Sequence, residues 1–384
     1  MNTKDLLNDL IAFPTVSSNP NRALIDYCAS LLSDAGAEIS ILEDEKEAKA
    51  NLYATIGPRD TPGVLLSGHT DVVPVEGQDW TVSPFTMSEA DGKVYGRGTT
   101  DMKGFVASAL RTALRASTTE LKTPLHLAFS YDEEIGCVGV RSMIDMLAEA
   151  PFKPMFCIVG EPTLMSVATG HKGKTACRVT STGKEAHSAL APTALNAIHF
   201  SVDMIQFIRQ LQSEIAASSR QDEDYDVPYT TLHVGQVDGG LALNIVPNLS
   251  HMRFEIRNLP EDDPQVLLDR IKAHAVLIVD EHKDTFPDAS IGFEITNTYP
   301  SLNTSKTAEI VNFVKSLTGS NSTMKVAFGT EGGLFSSELG IPTVICGPGS
   351  MEQGHKPDEF IHLEQLDKCD AMLDALVAKL QSGL

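Results

Sequence analysis

Five residues scattered along this 384-residue chain carry its clearest chemical signal: His69, Asp101, Glu134, Glu161 and His355. Each lies close behind an apolar run, beside glycine or another acidic residue. Two histidines and three carboxylates form a nitrogen and oxygen donor set that suits Zn²⁺ or Co²⁺ better than Ca²⁺ or a thiolate-bound metal. One of the carboxylates could be shared between two ions. The chemistry this implies is metal-assisted hydrolysis, with a coordination position left for water.

The local contexts differ in strength. His69 and Asp71 stand in LLSGHTDVVP, where Asp71 can accept the second ring N–H of His69 and fix its tautomer. An HxD pair alone is as often a turn. Asp101 lies in GRGTTDMKG, which by itself reads as a glycine-rich turn with a helix-capping aspartate. Lys103 nearby does not make this a phosphate loop, because the GxxxxGK[ST] spacing is missing. Glu133 and Glu134 close the run LAFSYDEEIG, and three consecutive acids ending an apolar strand are hard to explain as packing. Neighbouring carboxylates repel, and holding them together calls for a cation. One can bind metal while the other takes a proton from water. Glu161 in VGEP and His355 in GPGSMEQGHKPDEF complete the set.

Strand ends are what must position these groups. Val64–Ser67, Leu125–Tyr131 and Phe156–Val159 read as strands apolar on both faces, and Lys103 through Arg115 as a helix between the first two. That is α/β architecture, which binds ligands at strand ends. From about His171 the texture changes to strand, long amphipathic helix, two strands, helix and strand, the ferredoxin-like order. The spacing predicts strands at Lys174–Thr182, Tyr229–Val237, Leu249–Arg257 and Ile291–Ile295, with a helix opening at Pro264. The expectation is a catalytic domain from residues 1–170 and 299–384, interrupted by an inserted domain at 171–298.

Composition sets the outer limits. The formal net charge is −21, from 51 acidic and 30 basic residues, so no basic stripe exists to bind nucleic acid. Six cysteines form no CxxC pair, which points to a reduced, cytoplasmic protein. No run is long and apolar enough for a membrane span, and none reads as a signal peptide.

With these residues in hand, the chain resembles the M20 family of dinuclear metallohydrolases over essentially its whole length. SGHTDVVP, GRGTTDMKG, DEE, VGEP and the late histidine match that family's motifs in order. The resemblance implies a zinc-peptidase-like catalytic domain, a mixed sheet flanked by helices, with an inserted ferredoxin-like dimerisation and lid domain. It implies two divalent ions, Zn²⁺ with Co²⁺ as the alternative: one on His69, Asp101 and Glu161, the other on Asp101, Glu134 and His355. Asp101 would bridge them, Glu133 would act as general base and then acid, and Asp71 would orient His69. It further implies a homodimer, a lid histidine at His187 in GKEAHSALAP, and a substrate carboxylate held by Asn244 and Arg257.

FGTEGGLF and CGPGSMEQGHKPDEF resemble the family members that deacetylate N2-acetyl-L-ornithine in arginine biosynthesis. Glu331 is then the candidate partner of the ornithine ammonium. Two departures stand out: His171 and Lys172 replace the paired arginines of succinyl-diaminopimelate desuccinylases, and Ala194 stands where a glycine is common. Desuccinylation of succinyl-diaminopimelate, or hydrolysis of other N-acyl amino acids or dipeptides, is the alternative within the family, and a non-catalytic metal-binding homologue is the alternative of another class.

Overall fold

A computed structural model describes residues 1–384 except 45, 47 and 219. The chain divides into two units, one of Met1–His171, Leu302–Val326 and Thr330–Leu384, the other of Lys172–Ser301 with Ala327–Gly329.

The larger unit is built on a mixed nine-stranded sheet. Its centre runs Leu125–Ser130, Val64–His69, Phe156–Pro162 and Thr343–Gly347, each parallel to the next. All four strands are buried along their whole length, which is why their sequences are apolar without alternation. Each fully buried leucine or isoleucine side chain in such a layer contributes about 1.5–3 kcal/mol. Because the strands are parallel, their C-terminal ends share one edge. Asp132 to Glu134 follow the first, His69 ends the second and Glu161 lies near the end of the third. The fourth leads into the loop that carries His355.

The helix Lys103–Ala116 covers this centre and puts Phe105, Val106, Ala109 and Leu110 into the core. Its Phe105 lies so close to Gly160 that a Cβ there would stand 2.0 Å from the ring. Glycine beside Glu161 therefore lets helix and sheet meet next to the strand end that carries the acid. Lys103 is fully buried and donates its Nζ hydrogens to the carbonyls of Leu10, at 3.1 Å, and Phe13, at 2.7 Å. It pins the N-terminal helix Thr3–Ile11 and has no part in a phosphate loop.

The smaller unit has the expected order, Lys174–Thr182, Ala197–Ala216, Thr231–Gly239, Leu249–Arg257, Pro264–Asp280 and Ser290–Tyr299. Its four strands are antiparallel neighbours in the ferredoxin-like arrangement, with the first and third in the middle. The alternation of Met252, Phe254 and Ile256 with Arg253 and Glu255 puts the apolar side chains into a core shared with Phe200, Met204 and Ile208 of the long helix. Tyr229 and Pro228 lie outside the second strand, which starts at Thr231. Among the described residues no helix is long and apolar enough to cross a membrane.

Candidate metal centre

The five residues that opened the sequence reading come together at one edge of the larger sheet. The ligand atoms of His69, Asp101 and Glu134 lie within 4.8 Å of one another, as do those of His69, Glu133 and Glu161. Asp101 is the hub. Its Oδ1 lies 3.1 Å from His69 Nε2, and its Oδ2 lies 3.1 Å from His355 Nε2. Glu161 Oε1 stands 3.6 Å from His69 Nε2, and Glu134 Oε2 stands 3.0 Å from His355 Nε2. Each histidine thus faces one oxygen of the shared aspartate and one further carboxylate.

Tautomer decides what His69 can do. Its Nδ1 donates to the carbonyl oxygen of Asp71 at 2.9 Å, and a carbonyl can only accept. In the neutral ring this leaves the Nε2 lone pair aimed at carboxylate oxygens, an arrangement that a cation between them would relieve. The Asp71 carboxylate is farther from Nδ1, at 3.5 Å. It accepts instead from Ser17 Oγ, at 2.6 Å, and from the Glu133 backbone N–H, at 3.1 Å. The orienting group expected in the Asp71 side chain is therefore chiefly its main chain.

The electrostatics point the same way. Burial pushes the Glu161 carboxyl well up, and the nearby Asp101 pushes it further. Burial likewise raises Glu133, although His69 opposes it, and raises Glu134, where Asp101 adds to the effect. Burial would raise Asp101 as well, yet hydrogen bonds with His355 and His69 hold it well below the usual carboxylate range. His355 is raised to about 10 by Asp101 and then Glu134. Glu134 Oε1 is buried without a partner among the described residues. Crowded carboxylates, one with an orphaned oxygen, are a site that positive charge would stabilise. The spacing fits as well, since donors about 2.0–2.1 Å from a tetrahedral zinc lie roughly 3.3 Å apart.

The two ends of the cluster differ in exposure: the His69 side chain is 1% accessible and that of His355 46%. Glu133 stands beside the cluster, and Cys137 Sγ donates to its Oε1 at 3.3 Å. Glu331 is buried beneath the strands, where its carboxylate accepts from Ser67 Oγ, at 3.0 Å, and from Ser130 Oγ. Direct contact with a substrate ammonium, as the sequence suggested, would require these hydroxyls to give way.

In the smaller unit, His187 is exposed and caps a short 3₁₀ helix by accepting from the Ala189 N–H at 3.1 Å. Its segment lies against that of Asn244, whose carbonyl accepts from the Ser188 N–H at 2.9 Å. Arg257 donates to both oxygens of Glu255, at 3.0 and 3.2 Å, and to Tyr299 Oη at 2.6 Å.

Sequence reasoning passed over Glu359. Its carboxylate is 1% exposed and accepts from the backbone N–H groups of Gly98, Thr100 and Asp101 at 3.1, 2.9 and 3.0 Å. The signal was present in HKPDEF, an acid four residues after His355, but its partners are far away in the sequence.

Comparison with known proteins agrees with this geometry. The profile of Peptidase family M20/M25/M40 matches residues 65–379. The acetylornithine deacetylase of Pasteurella multocida (strain Pm70) is 32% identical over 382 residues, covering 97% of both chains. That of Myxococcus xanthus is 33% identical over 386 residues, 98% of this chain and 97% of the relative. The crystal structure of human carnosine dipeptidase 1 shares the fold with a TM-score of 0.77, at 15% identity over 99% of this chain and 97% of that one.

Proposed function

The chain belongs to peptidase family M20/M25/M40 and is a metal-dependent amidohydrolase, and on that premise we propose that it hydrolyses N2-acetyl-L-ornithine to L-ornithine and acetate. The observation that carries the hydrolytic reading is Asp101, with one oxygen facing each histidine. The substrate is supported by the relatives named acetylornithine deacetylase, which match along nearly their whole length.

In this reading His69, Asp101 and Glu161 hold an inner ion, and Asp101, Glu134 and His355 an outer one. The donor set suits Zn²⁺, with Co²⁺ as the alternative. When bound, such ions polarise the acyl carbonyl and lower the pKa of water. Glu133 takes the proton of the attacking water as oxygen adds to the acyl carbon. The same carboxyl then protonates the amine as the C–N bond breaks. Asp71 keeps Nε2 of His69 turned inward through its carbonyl. His187 donates to the developing oxyanion, and Asn244 and Arg257 receive the substrate carboxylate. Arg257 can do so by exchanging its bond to Tyr299 while Glu255 keeps its orientation.

A succinyl amide would need a cation for its second carboxylate, and the two positions in question are otherwise engaged. His171 is fully buried and accepts from the Gly333 N–H at 3.2 Å, while Lys172 donates to the Tyr229 carbonyl at 2.6 Å. That favours acetyl over succinyl. A kinetic panel of acetyl-ornithine, acetyl-citrulline, acetyl-methionine and succinyl-diaminopimelate tests the assignment. The highest kcat/KM belongs to acetyl-ornithine, and a wide preference for the succinyl substrate would overturn it. Six free, buried cysteines support a reducing compartment, hence the cytoplasm. The family resemblance supports a homodimer through the smaller unit, which sedimentation would test.

A further inference from the structure

The loop that carries His355 is tied to the loop that carries Asp101 by a polar network built around the buried Arg97. Arg97 is 1% exposed, and its Nη1 donates to Glu359 Oε2 at 2.7 Å. Glu359 in turn accepts the Asp101 backbone N–H, so this arm ends on the shared aspartate. The other arm runs outward. Arg97 Nη2 donates to Gln78 Oε1 at 2.5 Å, and Gln78 Nε2 donates to the carbonyl of His355 at 3.0 Å. His355 has φ +62°, a left-handed conformation that costs a non-glycine residue roughly 1 kcal/mol and needs an outside hold. Gln78 supplies one. The single tryptophan of the chain, Trp80, lies on this network, with the Arg97 guanidinium 4.9 Å from its ring centre and its Nε1–H donated to Gln78 Oε1 at 3.1 Å.

A buried ion pair can be simple scaffolding, but scaffolding has no need to end at both ends on candidate ligands of one ion. Asp101 and His355 are those candidates, and among the described residues the two arms reach no other pair in the cluster. We propose that Arg97, Glu359 and Gln78 are positioning residues that couple Asp101 to His355 and so set the affinity of the outer ion, with Trp80 reporting its arrival. The inference rests on the two-ion reading above.

Arg97 is a poor probe, since its loss strands the buried Glu359 charge and endangers the fold. Gln78 is half-buried and safer. Gln78→Glu keeps the acceptor for Arg97 and Trp80 but removes the donor to His355, while adding a negative charge that by itself would favour a cation. Gln78→Leu removes both. The full-length protein, freed of metal by chelation, is titrated with Co²⁺ alone, following visible absorption for occupancy and Trp80 fluorescence. The native chain should bind two ions in two steps, with fluorescence changing in the weaker. Both variants should weaken that step tenfold or more and leave the tighter one within about twofold. Native-like binding of both ions by both variants would overturn this clamp of Arg97, Glu359 and Gln78 alone. Equal weakening of both steps would also overturn it, leaving a general structural role. A native chain that takes up only one ion would overturn the two-ion reading and the clamp with it.

Discussion

His69 and His355 face opposite oxygens of one aspartate at the same 3.1 Å, yet they are held in opposite ways. His69 ends a buried strand, and its ring is fixed by the Asp71 carbonyl within the same short segment. His355 sits half exposed on a left-handed loop residue and depends on Gln78 from another part of the chain. A ligand built into the sheet is rigid from the moment the sheet forms. A ligand on a loop can be tuned, or lost, without disturbing the core. If two ions bind as proposed, the position beside His69 is the fixed one and that beside His355 the adjustable one.

The largest effect expected belongs to neither histidine. Glu133→Gln should keep both ions while turnover falls by roughly two orders of magnitude or more, since proton transfer alone is lost. Near-native turnover in a metal-loaded variant would remove Glu133 from that role. Next come the histidines. His355→Ala should retain one tightly bound ion and a near-native melting temperature. His69→Ala should lose the inner ion and melt lower, because Glu161 and Asp101 are left buried together. Equal metal content and melting in the two variants, measured by elemental analysis and calorimetry, would show that the two histidines are held alike.

A third histidine sharpens it. His126 is buried, stacks against Tyr53 and bonds Thr55 at 3.0 Å, and burial lowers it from 6.5 to about 4. The folded ring resists protonation while the unfolded one accepts it, so stability is intact above about 6.5 and declines as pH falls toward 4. The slope across that window is about 1.4 kcal/mol per pH unit. His126→Phe should remove this slope from urea midpoints measured at pH 7 and 5, and an unchanged slope would assign it elsewhere. The smallest effect concerns Glu331. Its buried charge should favour the cationic ornithine side chain through the floor of the site, so Glu331→Gln should cost acetyl-ornithine roughly fivefold more than acetyl-methionine in kcat/KM. Equal losses would leave it a purely structural acid beneath Ser67 and Ser130.

The same division governs what could be read from sequence. Parallel buried strands announce themselves as apolar runs, and the acids that end them stand out because nothing apolar explains them. The inserted unit was legible for a related reason: Met252, Phe254 and Ile256 alternate with polar residues, and Leu195 through Ile215 step at helical spacing. Glu38–Asp44 and Lys49–Ile56, at the sheet's antiparallel edge, carry charges and give no such signal. Nor could the clamp be seen, because Arg97 and Glu359 are separated by 262 positions and each looks like an ordinary surface charge. Asp71 shows a finer limit, since residue type suggested a carboxylate partner for His69 where the backbone carbonyl is closer.

Diffraction from crystals grown with Zn²⁺, measured on both sides of the zinc absorption edge, tests the central claim most directly. Two anomalous peaks should flank the Asp101 carboxylate, roughly 3.5–4 Å apart, one beside His69 and one beside His355. A single peak, or a pair that leaves Asp101 untouched, would contradict it.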